Sequence, residues 1–359
     1  MLVGPNGSGK TNLLEAISVL SLTRSCRGRD DADMVLWGAS HYRIRGKIQS
    51  DAGEERQIEV VCETAPRKRK AYFINDVRSS LTDIVGTLPT VTFLPEDLDL
   101  FTGSPSERRR SLDQLLSQVS PGYLMLLSQY QKILQQRNAL LKRIAAGIEQ
   151  TTALMLWDEQ LSEYGSAITL ARLELIEMLN LSFGEEMADL GERWDGVALR
   201  YERKTAAREQ GSIKLQMVDL LREHRLRDVA LQATTVGPHR EDWQVYRDGK
   251  ALPTFASRGQ ERIAVLALLL LQVSYLELKR GEQPVILLDD AFSELDDAHR
   301  SALLSSLGSS QVIMTSTHRP PSFPGRGSSS TQSGHSWPQD IAFFDVKDGT
   351  IRQESLAVS

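Results

Sequence analysis

A glycine-rich segment near the start of the chain constrains the fold more than any other feature. Its residues are Gly4, Pro5, Asn6, Gly7, Ser8, Gly9, Lys10 and Thr11. This order matches the phosphate-binding P-loop pattern at every fixed position, because glycines let consecutive backbone N–H groups face the phosphates and the lysine reaches the β- and γ-phosphates. A helical spacing of apolar residues follows directly, as the motif requires. We predict an ATP site here, with Lys10 as a catalytic residue and Thr11 as a Mg²⁺ ligand.

An acidic pair closes an apolar run much later in the chain. Residues 285–288 are all aliphatic, and Asp289 and Asp290 follow them. A buried parallel strand reads as a continuous apolar run, and an acid at its carboxyl end lies at the switch point of an α/β sheet, beside the P-loop. We predict that Asp289 holds Mg²⁺ and that Asp290 orients the attacking water. The alternative is two solvated carboxylates that end a strand.

Two short motifs flank this acidic strand. Ser257, Arg258, Gly259 and Gln260 precede a helix before it, and Ser293, Glu294, Leu295 and Asp296 follow it. In this order they resemble the signature loop and the D-loop of ABC-type ATPases. A serine hydroxyl and glycine N–H groups at a helix N-terminus can also bind an anion. The resemblance implies an ATP-dependent homodimer in which the signature loop of one subunit faces the γ-phosphate held by the other.

The chain divides by pattern into a head and an insertion. Residues 1–112 and 233–359 are of mixed α/β type, whereas residues 113–232 carry apolar residues at the 3–4 spacing of amphipathic helices, broken near Gly147. Because Lys10 and Asp289 must meet at one phosphate, both ends of the chain form the head. The predicted fold is therefore an α/β P-loop ABC-type ATPase head with an inserted helical arm. Residues 319–340 are rich in Pro, Ser and Gly and are predicted to be a flexible loop.

Local patterns also place individual elements. We predict helices at residues 11–21 and 263–278, and strands at 41–49, 56–63, 90–94, 243–246, 285–288, 311–315 and 341–346. Residues 71–78 are predicted to be a strand that leads into a turn. The dipeptide Asp248-Gly249 marks a hairpin turn.

Further motifs resemble those of the RecF family, in the SMC-like branch of ABC-type ATPases. They are residues 11–16 (TNLLEA), 95–105 (PEDLDLFTGSP), Arg108, Arg109, Leu112, Asp113, 136–140 (QRNAL) and 237–240 (GPHR). They run in order over most of residues 1–318. Ser111 departs from the pattern, since it stands where the family usually has an aromatic residue, and residues 319–340 have no counterpart to transfer.

The resemblance implies a role in DNA replication and recombinational repair. Members of the family clamp DNA as ATP-driven dimers, recognise junctions of single- and double-stranded DNA at gaps, and help RecO and RecR to load RecA. Slow, DNA-dependent ATP hydrolysis would reset the clamp. The expected cofactors are ATP and Mg²⁺, and the expected location is the cytoplasm.

Three residues have open roles. Glu96 follows a predicted strand where SMC-like relatives place their Q-loop glutamine, so it is a candidate for a γ-phosphate or Mg²⁺ contact or else a turn residue. His318 lies near the position of the ABC switch histidine, and the alternative is a solvated loop histidine. His239 follows Gly-Pro and is better explained as a structural turn contact than as a base.

The charge balance excludes a generally basic nucleic-acid binder. The chain has 42 Lys and Arg against 47 Asp and Glu, a net charge of -5, so any DNA contact must come from local patches. Basic runs occur at 67–70, 108–110 and 142–143, and we name Arg67, Lys68, Arg69 and Lys70 as possible DNA contacts; a solvated surface is the alternative. Since no base-reading motif is present, binding should be to the backbone and tolerant of sequence.

Two other function classes remain as rivals. A transporter ATPase subunit would need a membrane partner and the Leu-Ser-Gly-Gly-Gln form of the signature loop, which this chain lacks. A non-enzymatic scaffold would bind ATP only to stabilise its structure and would not hydrolyse it. The longest apolar run, residues 263–271, is about half of the ~20 residues that span a bilayer, and Cys26 and Cys62 suggest reduced thiols rather than a disulfide framework.

The first strand is unusually short. Only Met1, Leu2 and Val3 precede Gly4, whereas strands usually have about 5–6 residues. Judged by the family resemblance, we expect the functional protein to begin upstream of Met1. The alternative is that the short form is real and binds nucleotide weakly.

Overall fold

Strands and helices mix at both ends of the chain, and helices dominate its middle. The computed structural model describes residues 1–28, 30–290, 297–307, 310–318 and 341–353. The strands are β1 (Leu2–Val3), β2 (His41–Gln49), β3 (Glu55–Glu63), β4 (Arg69–Ile74), β5 (Val77–Ser79), β6 (Thr90–Phe93), β7 (Ala198–Glu202), β8 (Asp242–Arg247), β9 (Lys250–Ala251), β10 (Val285–Leu288), β11 (Val312–Ser316), β12 (Phe344–Lys347) and β13 (Thr350–Gln353). The α-helices are α1 (Lys10–Leu22), α2 (Leu81–Ile84), α3 (Pro105–Val119), α4 (Pro121–Ala145), α5 (Leu154–Asn180), α6 (Phe183–Asp189), α7 (Gln210–Glu223), α8 (Arg225–Leu231), α9 (Arg258–Arg280) and α10 (Asp297–Ser306).

A six-stranded sheet carries the glycine-rich loop. Its order is β13-β12-β1-β11-β10-β6, and all neighbours are parallel except the terminal hairpin of β12 and β13. The strand β10 is aliphatic throughout because both of its faces are covered. Leu2, Leu14, Leu287 and Val346 form a buried cluster that packs α1 on this sheet. Since parallel strands end at the same edge, the residues after β1, β10 and β11 come together there.

A four-stranded antiparallel sheet, in the order β2-β3-β4-β5, lies on α1. Its apolar side chains alternate with polar ones, and Ile58 and Val60 of β3 pack against Val19 and Leu20 of the helix. At Gly46 of β2, an added Cβ would lie 2.7 Å from Leu20 Cδ1. A side chain at this position would require the Leu20 side chain to move.

The middle of the chain packs as helices around the small antiparallel sheet β7-β8-β9. The contacts between α4 and α5 and between α5 and α7 are extensive. Ser104 and Ser120 cap the first turns of α3 and α4, each followed by a proline at the first helical position. Gly147 adopts a positive φ in the connection from α4 to α5, close to where the apolar spacing is interrupted.

The chain forms two compact units. The first comprises Met1–Leu98, Glu185–Arg193 and Arg262–Ser359, and the second comprises Asp99–Gly184 and Trp194–Glu261. These limits differ from the predicted ones, since residues 99–112 and 233–261 belong with the helices rather than with the head, and residues 185–193, predicted in the arm, belong to the first unit. The reason is that α3 is tied to β8, where the Arg108 guanidinium donates to both carboxylate oxygens of Asp242 at 2.9 and 2.7 Å.

The secondary structure follows the predicted pattern with local differences. The predictions for β2 and β10 are confirmed at both ends. The predicted strand leading into a turn at 71–78 is also confirmed, since β4 ends at Ile74 and a turn follows at Asn75 and Asp76, both with positive φ; the short strand β5 after the turn was not predicted. The final predicted strand begins at Phe344 rather than at residue 341. The predicted insertion, residues 113–232, is mostly helical and also contains β7, which pairs with β8. Residues 319–340 lie outside the described residues, and no helix among the described ones is long and apolar enough to cross a membrane.

Candidate phosphate-binding site

The glycine-rich loop joins β1 to α1, and its backbone requires glycine at three positions. Gly7 and Gly9 have φ of 80° and 101°, values that residues with side chains rarely adopt. At Gly4, an added Cβ would lie 2.2 Å from the carbonyl oxygen of Val346. The hairpin after β12 supports the loop from outside, since the Gly349 N–H donates to Ser8 O at 2.9 Å.

Lys10 begins α1, and its ammonium lies over the loop. Nζ donates to the carbonyl oxygens of Gly4 at 2.7 Å and of Pro5 at 3.0 Å. The side chain is buried, and a charge in such surroundings attracts an anion more strongly than one at an open surface. The amino end of α1 adds N–H groups and the positive end of the helix dipole. These groups together suit a polyphosphate.

A cavity of about 450 Å³ opens beside the loop. Its walls are Asn6, Gly7, Ser8, Gly9, Lys10, Thr11, Asn12, Arg27, Pro95, Asp289, Asp290, Thr315 and Thr317. All of them belong to the first unit. The walls combine the loop with the residues that follow β10 and with the end of β11. The predicted proximity of the loop and the acid-ended strand is therefore confirmed.

Two threonines fix the Asp289 carboxylate. Thr11 Oγ1 donates to Oδ2 at 2.9 Å, and Thr315 Oγ1 donates to Oδ1 at 2.7 Å. Thr315 also accepts the backbone N–H of Asp290 at 2.9 Å. Asp290 has a φ of 46°, a left-handed conformation that is uncommon for residues other than glycine. One buried hydroxyl on β11 thus orients both acids, a role that the sequence analysis missed.

The oxygen atoms at this point fit a Mg²⁺ ion. Mg²⁺ binds oxygens at about 2.1 Å in octahedral geometry, which separates adjacent ligands by about 3 Å. The separation of 2.9 Å between Thr11 Oγ1 and Asp289 Oδ2 matches this value. No group of three or more His, Cys, Asp or Glu side chains among the described residues could form a complete metal cage. The donor set therefore fits a Mg²⁺ that takes its other ligands from phosphates and water.

Arg27 lines the cavity and was not predicted. It lies on the loop after α1, where its backbone N–H donates to Ser25 Oγ at 3.1 Å. The Ser25 hydroxyl in turn donates to the buried carboxylate of Glu15 on α1. No local pattern marks Arg27 in the sequence, because only the packing of this loop on α1 brings it to the phosphate site.

The open candidates Glu96 and His318 do not line the cavity. The Glu96 side chain is 62% exposed and pairs with Arg27 at 3.3 Å, and Pro95 forms the wall instead. His318 is exposed, and its Nδ1 lies 2.9 Å from Thr317 Oγ1, with Thr317 facing the cavity. Their roles in nucleotide binding stay predictions.

The segment 257–260 caps α9. The Gln260 N–H donates to Ser257 Oγ at 3.3 Å, and the Ser257 N–H donates to Gln260 Oε1 at 3.0 Å, a reciprocal arrangement that satisfies two backbone donors at a helix start. Ser257, Arg258 and Gly259 are exposed, and all four residues belong to the second unit. Their action across a dimer stays a prediction. The predicted D-loop, residues 293–296, lies outside the described residues.

Family motif residues also build the interior of the second unit. Arg137 has no exposed surface and donates to Asp158 at 2.8 Å and to Asp228 at 2.7 Å. Its Nη2 has no hydrogen-bond partner among the described residues. Asp113 accepts two bonds from Arg172, at 2.8 and 3.0 Å. These side chains hold helices together and face no phosphate site.

His239 is a structural contact, as its position after Gly237-Pro238 suggested. Tyr130 Oη donates to Nδ1 at 2.6 Å, and Nε2 donates to Thr234 O at 3.1 Å, which suits a neutral ring. Burial lowers the pKa of His239 to about 4. Gly237 has a φ of 126°, and an added Cβ would lie 2.4 Å from Tyr130 Oη. The motif therefore shapes a tight turn against α4.

The candidate DNA cluster at residues 67–70 is partly neutralised. Lys68 pairs with Asp30 at 3.0 Å and with Asp31 at 2.8 Å. Lys70 pairs with Asp31 at 2.5 Å. These carboxylates compete with DNA phosphates for both lysines, so Arg67 and Arg69 are the more available half of the cluster. A role in DNA binding stays a prediction for all four.

Comparison with known proteins agrees with this geometry. Residues 1–323 match the family described as the RecF/RecN/SMC N terminal domain. The DNA replication and repair protein RecF of Heliobacterium modesticaldum is 38% identical over 322 residues, which are 89% of this chain and 86% of that protein. The protein of the same name from an Exiguobacterium species is 35% identical over 361 residues, with 99% and 93% covered.

Solved structures give the same result. One described as the recombination mediator protein RecF with ATP in the RecFOR pathway superposes with a TM-score of 0.86. It is 31% identical, and the match covers 99% of this chain and 91% of that chain. A second structure of the recombination mediator protein RecF, described as RecF-ATPrS, has the same TM-score and identity.

Proposed function

We propose that this chain, which belongs to the RecF family of DNA replication and repair proteins, is an ATP-dependent DNA-binding protein of recombinational repair. The observation that carries the proposal is the contact between Thr11 and Asp289, 278 residues apart, at the mouth of a glycine-rich loop. In this proposal ATP is bound at residues 4–11 and Lys10 contacts its phosphates. The fit of the Thr11 and Asp289 oxygens supports Mg²⁺ as the accompanying ion.

Slow ATP hydrolysis is part of the proposal. A bound Mg²⁺ would neutralise charge on the phosphates, while Lys10 would stabilise the charge that develops during transfer. Asp290 would orient the attacking water, and its backbone is held by Thr315. Aspartate reaches one methylene less far than the glutamate usual in ABC-type ATPases, which favours slow turnover over a rapid cycle.

We further propose that ATP drives formation of a homodimer. The exposed segment 257–260 would close over the γ-phosphate of the other subunit, since its serine and its N–H groups lie at the start of a long helix. The dimer would clamp DNA at gaps and act with RecO and RecR in loading RecA, as the family name and the RecFOR pathway suggest. Cytoplasmic action suits the two free cysteines.

Light scattering with and without ATP and Mg²⁺ tests the dimer. The wild-type chain should dimerise only with both, and Lys10→Met should remain monomeric. Ser257→Arg should bind ATP as a monomer but fail to dimerise, because its defect lies in the other subunit's site. Equal loss of monomer ATP affinity in Ser257→Arg would contradict action across the dimer. Dimers of Lys10→Met that still depend on ATP would contradict the nucleotide site.

The scaffold alternative makes a different prediction for hydrolysis. A single-turnover assay with DNA should release phosphate from the wild-type chain, and Asp290→Asn should lose this release while keeping ATP binding. If the wild-type chain binds ATP and never releases phosphate, the chain is a scaffold and not an ATPase.

A further inference from the structure

The antiparallel sheet of the first unit has one apolar and one charged face. Tyr42, Ile44 and Ile48 of β2 point to the core with Ile58 and Val60 of β3. Side chains alternate along a strand, so the odd-numbered residues of β2 face the other way. Three of these are Arg43, Arg45 and Lys47, all exposed.

The strand register extends this basic row across the sheet. Arg45 stands opposite Glu59, which stands opposite Phe73, which stands opposite Arg78. Arg43 and Lys47 flank Arg45 at alternate positions, about 6.8 Å away along the strand. The middle of this face thus carries four cations around one carboxylate, with an aromatic ring between them.

The single central carboxylate serves to orient arginines. Glu59 has a side chain only 7% exposed, and it accepts from Arg45 Nε at 2.5 Å and lies 3.7 Å from Arg43 Nε. Arg45 also lies 3.7 Å from the exposed Asp76. Among the described residues Lys47 has no ion-pair partner. Unlike Lys68 and Lys70, which share Asp31, this row keeps an excess of positive charge.

An exposed tryptophan lies on the turn that precedes β2. Trp37 is 99% exposed and its neighbour Leu36 is 81% exposed. The turn is ordered, since the Ala39 N–H donates to Leu36 O at 2.9 Å and Gly38 has a φ of 85°. Trp37 precedes β2 by four residues, at most about 14 Å of chain. An exposed indole on a fixed turn offers a stacking platform a short length of chain before the row of cations.

We propose that the outward face of β2 and the Trp37 turn form a binding surface for single-stranded DNA. Successive backbone phosphates lie along Arg43, Arg45 and Lys47, whose regular spacing resembles that of phosphates in an extended strand. A base stacks on Trp37, which is the usual pairing of basic groove and aromatic platform for single strands. The inference rests on the proposed function, since it takes DNA to be the ligand.

A plainer explanation exists for the charges alone. Lysine and arginine on an outer strand discourage unwanted sheet pairing, and a sheet face open to water is commonly polar. Neither reason accounts for a fully exposed tryptophan, because the hydrophobic effect favours burial of so large an apolar side chain. The test therefore separates the two features.

The experiment measures anisotropy of a labelled oligothymidylate and of a duplex of equal length, with the full chain, ATP and Mg²⁺, over a series of salt concentrations. Arg43→Gln with Lys47→Gln should weaken single-strand binding on the order of tenfold and reduce the salt slope by about 1.4, since two phosphate contacts are lost. The control is Arg208→Gln with Arg222→Gln in the second unit, which removes the same charge from exposed positions. Arg45 is left in place so that Glu59 keeps its partner.

The Trp37 variants test stacking. Trp37→Ala should weaken single-strand binding about 5- to 150-fold and leave duplex binding nearly unchanged. Trp37→Phe should restore most of the affinity, while the quenching of tryptophan fluorescence on binding should disappear. ATP affinity and thermal midpoint should equal those of the wild type in every variant.

Each remaining outcome has a definite meaning. If the wild-type chain binds no DNA, the proposed function fails and the inference with it. If the wild type binds single strands but both sets of variants bind as the charge-matched control does, the function stands and this surface is wrong. Loss of duplex and single-strand affinity alike in the arginine–lysine variant, with Trp37→Ala unaffected, also overturns the single-strand assignment.

Discussion

The phosphate site of the first unit and the interior of the second unit use charged side chains in opposite ways. At the phosphate site, Lys10 donates to backbone carbonyls and Arg27 pairs with an exposed carboxylate, so neither cation is bound to a buried acid. In the second unit, Arg137 lies between two buried aspartates. The cations at the phosphate site can therefore bind an anionic ligand, whereas Arg137 is paired with buried carboxylates and holds helices together.

This difference shows that the motifs shared with one family have two roles, ligand binding and stabilisation of the fold. Residues 4–11 and Asp289 line a cavity, whereas Arg137 and His239 fill an interior. Substitution of a residue that lines the cavity should therefore weaken ligand binding and change stability little. Substitution of a residue that fills the interior should lower stability and change ligand binding little.

The largest effect is expected at Arg137. Arg137→Ala leaves Asp158 and Asp228 buried without their partner, which should cost about 3–5 kcal/mol of unfolding free energy. Arg143→Ala on the same helix removes only an exposed pair with Glu149 and should cost less than about 1 kcal/mol. Urea unfolding followed by far-UV circular dichroism gives both values. Equal losses would show that the buried network is not stabilising.

His239 should add a pH dependence to stability. Because its pKa falls to about 4 in the folded state from about 6.5 when unfolded, the unfolded chain binds the extra proton between these values. Stability is thus full above pH 6.5 and falls as the pH drops toward 4, by about 3 kcal/mol from this group. Unfolding of wild type and His239→Gln at several pH values measures the difference.

His318→Gln serves as the control for this profile, since His318 is exposed on a loop. The account of His239 as a neutral buried contact would be wrong if His239→Gln kept the same slope as the wild type.

Thr315 should affect nucleotide binding through Mg²⁺. Thr315→Val removes a hydrogen bond to the Asp289 carboxylate, so the gain in ATP affinity on adding Mg²⁺ should shrink roughly tenfold, or about 1.4 kcal/mol. Thr315→Ser should restore it. Thr90→Val is the matched control, because Thr90 is equally buried on β6 and bonds Ser21 at 2.8 Å away from the cavity walls. If Thr90→Val loses as much of the Mg²⁺-dependent gain in ATP affinity, the effect of Thr315 is one of packing alone.

The smallest effect is expected at Glu96. Its exposed pair with Arg27 predicts that Glu96→Gln changes ATP affinity by no more than about 0.5 kcal/mol. Isothermal titration with ATP and Mg²⁺ measures the change. A loss as large as that of Thr315→Val would instead support the γ-phosphate or Mg²⁺ contact.

Much of the phosphate site could be predicted because its residues are local in the chain or end a strand. The glycine spacing determines the loop, and an aliphatic run that ends in acids identifies β10. The resemblance to the RecF family came from motifs in order and is confirmed. These patterns can be recognised in the sequence without knowledge of tertiary contacts.

The missed features depend on contacts between distant segments. Arg27 reaches the cavity only because Glu15 and Ser25 hold its loop, and Thr315 matters only because β11 lies beside β10. The strand β7 went unpredicted since its partner, β8, lies about forty residues later, beyond any local pattern. The unit boundary likewise depends on Arg108 and Asp242, which no periodicity connects.

The central claim, that charge at the phosphate site serves a ligand and not the fold, is tested most directly by ATP titration calorimetry of Lys10→Met beside its unfolding curve. We predict that the wild type binds ATP with Mg²⁺, that Lys10→Met loses about 1.5–3 kcal/mol of that affinity, and that its unfolding free energy stays within about 1 kcal/mol of the wild type. Unchanged ATP affinity, or a stability loss like that of Arg137→Ala, would contradict the claim.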